Sequence, residues 1–350
     1  MSNGNALIVG ASGLVGGNFL RYLAATGGWK IEALSRRAPE LPAGVTHVAV
    51  DLLDRGQCAE AAAMLSDTTH VFFCARAVGQ HYEIKVDPNR EIVENLLDAL
   101  LPVAHCLRHV QIMHGMKWYG SNLGPYKTPA KESDPRLPGR NFYYEQLDAI
   151  IARQRGASWS WSTLRPHFVC GVTVGSPSNP LSTLGAYAAI LKEAGRPLDF
   201  PGPQGSFDAH MNITDVRLLT RAMLWAATEP RCANQAYNIV NGDTFRWRDV
   251  WPTLAAHFGM EPGSVLPVRL RDAMADKEPV WEAIVRRHGL RPTRLGEIAD
   301  WAFADVLFEG AWDQTASMVK AHRDGFTGMV DTEEMFLEIL GEYRSLRLLP

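Results

Sequence analysis

The chain has 350 residues, room for one large or two modest domains, and its 46% hydrophobic and 21% charged residues are ordinary for a soluble globular protein. Its 35 Lys+Arg against 38 Asp+Glu leave a net charge of −3, which excludes a general attraction to nucleic acid or to an anionic membrane but not a local basic pocket. The apolar runs all fall short of the about 20 residues needed to cross a bilayer.

The first 115 residues alternate between strand-like and helix-like periods. A continuous apolar run at 5–10 (NALIVG) predicts a first strand, followed by a glycine turn and a helix over 14–26. Runs at 30–35 (KIEALS) and 45–50 predict the second and third strands. Asp51 then leads into a helix-like stretch ending near Leu65. Residues 69–75 (THVFFCA) predict a fourth strand, 88–101 a helix and 109–114 (HVQIMH) a fifth strand. Strands that alternate with helices predict an α/β fold, a Rossmann-type doubly wound parallel sheet. The runs do not alternate apolar with polar, as suits strands covered on both faces.

Beyond this the texture changes. Residues 118–140 read as a long loop, 142–155 as a helix, 162–169 (STLRPHFV) as a sixth strand, and 171–182 as another Gly-, Pro- and Ser-rich loop. Helices are predicted near 184–194, 215–227, 247–258 and 333–345. Eight of the ten Trp lie beyond residue 150, so the late part builds either a pocket or a second packed core. The expected division is a dinucleotide-binding part over 1–170, with returning segments near 211–242. A smaller, mainly C-terminal substrate-binding part covers 171–210 and 243–350.

The N-terminal MSNGNALIVG has no basic n-region and no cleavage site, so no signal peptide is expected. Cys58, Cys74, Cys106, Cys170 and Cys232 are scattered, odd in number and without a C-x-x-C pair. They read as free thiols of a reducing, cytoplasmic compartment rather than as disulfides or metal ligands. The histidines show no metal-ligand spacing either, and no metal is expected.

Gly10-Ala-Ser12-Gly13-Leu14-Val15-Gly16 is a G-x-x-G-x-x-G segment between a predicted strand and a predicted helix. Glycines there allow a tight turn and close backbone approach to a pyrophosphate, and the helix N-terminus supplies N–H donors. The second strand ends Leu34-Ser35-Arg36-Arg37, with no acid at its tip to accept from a ribose 2′-hydroxyl; Glu32 lies inside the strand. Two arginines suit a 2′-phosphate, so NADPH is the expected cofactor. Asp51 and Leu52 follow the third strand, where they either contact adenine or, for Asp51, cap the next helix.

A conventional short-chain dehydrogenase carries Tyr-x-x-x-Lys on one helix. Here Tyr143 and Tyr144 have Leu147 and Asp148 four residues on. A lysine does occur just after the fifth strand, in His114-Gly-Met-Lys117-Trp118-Tyr119-Gly120, at the carboxyl edge where ligands of such sheets bind. With this segment, NFYY at 141–144, LRP at 164–166, WAA at 225–227, NQAYNIVNGD at 234–243, KEPVW at 277–281 and the terminal Leu-Pro, the sequence resembles the progesterone 5β-reductase and iridoid synthase-like enone reductases. They are a divergent branch of the short-chain dehydrogenases, and the resemblance runs end to end.

That resemblance implies that Tyr143 and Lys117 form the catalytic pair, both also touching the cofactor. Hydride addition to the β-carbon of an enone puts negative charge on the carbonyl oxygen, which a phenol can meet with a hydrogen bond. A nearby ammonium would lower the phenol pKa and help hold the nicotinamide ribose. The resemblance further implies a substrate wall at Arg76, Trp118, Gly120, Leu123 and Phe168. Here the chain departs from the plant members, which have Trp in place of Arg76, Asn in place of Phe168, and Met and Phe in place of Gly120 and Leu123. The departures point to small or oxygenated enones over 3-oxo-Δ4 steroids, and to a substrate with a carboxylate if Arg76 faces the cavity. Reduction of a ketone or aldehyde by the same pair is the alternative enzyme reading, and a non-catalytic NADP-binding sensor the alternative from another class. No nucleic-acid or membrane partner is expected, and the resemblance permits a homodimer.

Overall fold

Ala6 and Ile8 project from one face of the first strand and Leu7 and Val9 from the other, and all four are fully buried. A strand buried on both faces needs helices on both sides. The computed structural model describes residues 3–79 and 82–350, so Met1 and Ser2, at the head of the stretch read for a signal peptide, lie outside the described residues.

The strands are β1 (Gly4–Val9), β2 (Trp29–Ser35), β3 (Val45–Ala49), β4 (His70–Phe73), β5 (His109–Met113), β6 (Ser160–Arg165), β7 (Val169–Cys170), β8 (Leu198–Phe200), β9 (Thr214–Asp215), β10 (Gln235–Asn238) and β11 (Pro262–Val265). Seven of them form one parallel sheet in the order β10-β6-β5-β4-β1-β2-β3. The order reverses between β1 and β4, and the crevice at their carboxyl ends is where a doubly wound sheet takes its ligand.

The helices of the sheet part are α1 (Leu14–Thr26), α2 (Arg55–Ala62), α3 (Val86–Leu100) and α4 (Phe142–Gln154). Later in the chain come α5 (Pro180–Glu193), α6 (Gln204–Asp208), α7 (Val216–Thr228), α8 (Trp247–His257), α9 (Leu270–Ala273), α10 (Glu278–His288), α11 (Leu295–Ile298), α12 (Trp301–Glu309), α13 (Val319–Arg323) and α14 (Thr332–Ser345). Phe19 and Leu23 of α1 and Leu219 and Met223 of α7 cover the Ala6/Ile8 face. Cys58 of α2 and Ile92, Leu96 and Leu100 of α3 cover the Leu7/Val9 face.

A separate core packs α5, α8, α10, α12 and α14 around Trp247, Trp251, Trp281 and Phe336. The late tryptophans are therefore mainly core. Ala316, Met318, Ala321 and Phe326 pack instead with the sheet, so this segment leaves the expected 243–350 part and returns to the first.

Two boundaries differ from expectation, and β10, α10 and α12 are new elements. The sixth strand ends at Arg165, because Pro166 has no N–H to continue the ladder and Phe168 turns with φ 34°. The helix after the third strand starts at Arg55. Its cap is Asp54, whose side chain accepts from Gly56 and Gln57 N–H, whereas the Asp51 carboxylate accepts from Leu53 N–H at 3.0 Å, short of the helix. The seventh strand, β10, was not expected: four residues with polar ends give no apolar run, and only pairing with Ser162–Arg165 of β6 makes them a strand. Nor were α10 and α12.

Four buried histidines, His70, His109, His114 and His167, give the fold an acid-labile character, and burial holds His114 well below the usual imidazole range. His70 and His109 face each other across β4 and β5. Burial pushes His70 down to about 4, His109 to about 3 and His167, beyond β6, to about 4. The unfolded chain takes up these protons near pH 6.5 while the folded one refuses them until far lower. Stability present above pH 6.5 is therefore lost as pH falls, by up to about 1.4 kcal/mol per pH unit for each histidine. Urea midpoints should drop steeply from pH 7 to pH 5, and His109→Gln should flatten that slope. Midpoints independent of pH would contradict this account.

Candidate active site

The cradle is set by two close approaches. Gly10 has φ +84°, and a Cβ there would lie 2.7 Å from the Ala75 backbone N, so only glycine lets the β1–α1 turn pass the end of β4. A Cβ on Gly16 would lie 2.3 Å from the Gly10 carbonyl oxygen, so this glycine packs α1 against the loop. Gly13 is the N-cap of α1 and leaves its first N–H groups without a side-chain cap. This bare helix start fits a pyrophosphate. Gly10, Ser12, Gly13, Leu14 and Val15 border a cavity of about 960 Å³ at the carboxyl edge of the sheet.

Ser35, Arg36, Asp51 and Leu52 border the same cavity. Ser35 Oγ donates to the Arg37 carbonyl at 2.7 Å and fixes the turn after β2. Arg36 and Arg37 are exposed and, among the described residues, form no ion pair. Arg37 and Gly16 do not border the cavity. Glu32 is buried in mid-strand and paired to Lys30 at 3.0 Å, away from the strand tip. The donor set thus fits a nicotinamide dinucleotide.

At the other end of the cavity a short 3₁₀ turn, Met116–Tyr119, follows β5 and presents Lys117, while the first turn of α4 presents Tyr143. Asn141 joins them: its Oδ1 accepts from Tyr143 N–H at 2.9 Å and its Nδ2 donates to the Lys117 carbonyl at 2.7 Å. Burial pushes Tyr143 up to about 12, opposed by the Arg76 charge, and pushes Lys117 down to about 8, helped by Arg76. The cation acting on the Tyr143 phenol is thus the Arg76 guanidinium, where the sequence pointed to Lys117. Tyr144 faces away from the cavity. Its hydroxyl donates to the Trp118 carbonyl at 2.5 Å and accepts from Leu137 N–H at 3.1 Å, a structural arrangement.

Gly115 leaves room for the phenol. A Cβ at this position would lie 3.0 Å from Tyr143 Oη and 3.3 Å from the Pro166 carbonyl oxygen. Its backbone is extended, so alanine brings no conformational strain, only bulk against the hydroxyl. Gly115→Ala is expected to lower kcat by roughly 10–10²-fold, the scale of a small misplacement of a reacting group. Cofactor affinity should change little. Wild-type kcat in Gly115→Ala would show that the hydroxyl tolerates displacement.

Of the expected substrate wall, Arg76, Leu123 and Phe168 border the cavity, Leu123 at its rim with 74% exposure. Trp118 does not. It is buried behind the site, with the Arg165 guanidinium 3.7 Å over its ring and His114 stacked at 5.5 Å. Gly120 does not either: at φ +79° it closes the 3₁₀ turn, and a Cβ would meet Leu137 at 2.3 Å. Its lack of a side chain therefore serves the turn and does not widen the cavity. Several wall residues carry no sequence signal. Tyr82 closes one side with its ring 5.1 Å from Arg76 Cζ and 5.2 Å from Lys117 Nζ, and packs on Phe303 at 5.3 Å. Phe303 and Val306 of α12, with His167, Trp312 and Gln314, complete the far wall.

Residues 40–350 match the PRISE-like Rossmann-fold domain family. The chain is 34% identical to an (S)-8-oxocitronellyl enol synthase of Nepeta racemosa, covering 99% of this chain and 91% of the relative. It is 35% identical to the (S)-8-oxocitronellyl enol synthase of Antirrhinum majus, covering 99% and 92%. It is 32% identical to the 3-oxo-Delta(4,5)-steroid 5-beta-reductase of Arabidopsis thaliana, covering 99% and 93%. Among solved structures, UDP-glucose 4-epimerase of Thermotoga maritima superposes with TM-score 0.69 at 15% identity, covering 97% of this chain and 99% of that one, a likeness of fold.

Proposed function

The chain belongs to the PRISE-like Rossmann-fold family, and from that premise we propose that it reduces the C=C bond of α,β-unsaturated carbonyl compounds with NADPH. The observation that carries this reading is the buried Tyr143 phenol at the carboxyl edge of a dinucleotide-type sheet, with Arg76 against it and Lys117 beside it. The relatives' names agree in kind: one is a steroid 5-beta-reductase, and the others form an enol, the neutral form of what 1,4-addition generates.

In this reading the glycine cradle and the start of α1 hold the pyrophosphate, and Arg36 with Arg37 holds a 2′-phosphate. Lys117 holds the nicotinamide ribose. When bound, the cofactor supplies the hydride. Tyr143, protonated at neutral pH, donates its hydrogen bond to the substrate carbonyl oxygen, and that bond strengthens as the oxygen becomes an enolate. Arg76 and Lys117 add positive potential to the same spot. Phe168 and Phe303 give the cavity an apolar wall, and solvent entering through the cleft protonates the α-carbon. The sheet-forming part serves the cofactor and the α12 side serves the substrate. Among the described residues no helix is long and apolar enough to cross a membrane.

The deciding experiment is NADPH oxidation with 2-cyclohexen-1-one and identification of the product. Cyclohexanone supports this function. The allylic alcohol would make the protein a carbonyl reductase, and no turnover across a carbonyl panel would leave a cofactor-binding protein without this chemistry.

A further inference from the structure

Arg76 is the charge the reductase reading leaves without a counter-charge. It borders the cavity three residues past β4, and solvent reaches it through the open cleft although protein surrounds its head. Among the described residues it forms no ion pair. The two acids on the cavity wall do not serve it: Asp51 sits after β3 and accepts from Leu53 N–H, and Glu309 is exposed at the end of α12. Its neighbours are rings and hydroxyls. Tyr82 lies 5.1 Å from the guanidinium carbon, and on the same ring, at 5.2 Å, lies the Lys117 ammonium. Two cations around one aromatic ring with no counter-charge make a place that an anion would complete.

The position of that anion follows from the position of Tyr143. The Arg76 head meets the Tyr143 hydroxyl, the group that takes the substrate carbonyl in the reading above. An anion held by Arg76 while the carbonyl rests on Tyr143 therefore belongs on the carbon next to that carbonyl. We propose that the substrate is a 2-oxo-3-enoate, an enone whose carbonyl carbon bears a carboxylate, with the carboxylate on Arg76 and the 2-oxo group on Tyr143. The inference rests on the enone-reductase reading and names its substrate class. A guanidinium suits the task because it can offer two parallel donors to a carboxylate.

The reaction balances without a further reactant. C4 receives the hydride, the C3=C4 pair moves to C2=C3, and the C2 carbonyl pair moves to its oxygen. A solvent proton then adds at C3 and the 2-oxo group re-forms. One NADPH and one proton are consumed, giving NADP⁺ and the saturated 2-oxo acid.

The test uses a matched pair, trans-2-oxo-3-pentenoate and trans-3-penten-2-one, which differ only in carboxylate against methyl. The acid is the more electrophilic, so the readout is the acid-to-ketone ratio of kcat/KM in wild type divided by that ratio in Arg76→Gln, in which intrinsic reactivity cancels. A double ratio of about 10–10², with most of the loss in KM for the acid and partial recovery in Arg76→Lys, is the expected result. A double ratio near one overturns the proposal while the reductase reading stands. A rise confined to the KM for NADPH also overturns it and assigns Arg76 to the cofactor. Failure of wild type to reduce either compound or cyclohexenone defeats the reductase reading itself.

Discussion

Tyr143→Phe is expected to lower kcat about 10²–10³-fold, the loss that follows removal of one preorganised donor to a developing oxyanion. The change removes one oxygen and leaves the ring, which packs at 4.0 Å on Phe142 and 4.7 Å from His114, so the cavity keeps its shape. Burial holds the phenol pKa near 12, so the wild-type hydroxyl carries its proton across the neutral range and acts as a donor. The hydrogen bond strengthens only as charge builds on the carbonyl oxygen. The loss should therefore fall on kcat and kcat/KM alike, with the Kd for NADPH nearly unchanged. Tyr144→Phe is the control. It removes a hydroxyl that bridges the Trp118 carbonyl and Leu137 N–H, so it should cost about 1 kcal/mol or more of stability and little activity. An active Tyr143→Phe beside a dead Tyr144→Phe would place the chemistry on the wrong tyrosine. A strongly electron-poor enone should suffer least in Tyr143→Phe, because its enolate needs less help.

What could be seen in the sequence was what local backbone chemistry dictates. The 10–16 segment needs glycine for reasons confined to a few residues: a left-handed φ at Gly10 and a carbonyl that allows no Cβ at Gly16. The strands buried on both faces announce themselves as unbroken apolar runs, and β10, with polar ends and a neighbour more than sixty residues away, does not. Lys117 and Tyr143 were legible through their motifs, but the contact that matters to Tyr143 comes from Arg76, on a different strand end. The same limit explains Trp118. Adjacency to Lys117 suggested a wall residue, but successive residues of a 3₁₀ turn point in different directions. Arg165, from β6, fixes Trp118 in the core. Tyr82, Phe303 and Val306 carry no motif, and only the return of α12 over the sheet edge brings Phe303 against Tyr82 and Phe168.

Neutralising Arg36 and Arg37 together is expected to erase most of a preference for NADPH over NADH. The two cofactors differ by one phosphate on the adenosine ribose, so the preference measures what the protein does with that group. The β2 tip offers two exposed guanidiniums without ion-pair partners among the described residues, and a serine that fixes the turn through its bond to the Arg37 carbonyl. Glu32, the only acid in the strand, is buried and held by Lys30, so it cannot take the 2′-hydroxyl contact that would reward NADH. Charge-assisted hydrogen bonds contribute roughly 1.5–3 kcal/mol each, which puts the wild-type discrimination at about 10²-fold or more. Arg36 borders the cavity and Arg37 does not, so Arg36→Gln should cost more than Arg37→Gln, and the double change most. The loss should appear in the KM for NADPH and weaken with added salt, since exposed charges are screened. The kcat for NADH should stay put, because Tyr143, Lys117 and Arg76 lie at the other end of the cavity. Equal kcat/KM for the two cofactors in wild type would show that the arginines serve the surface and not the phosphate.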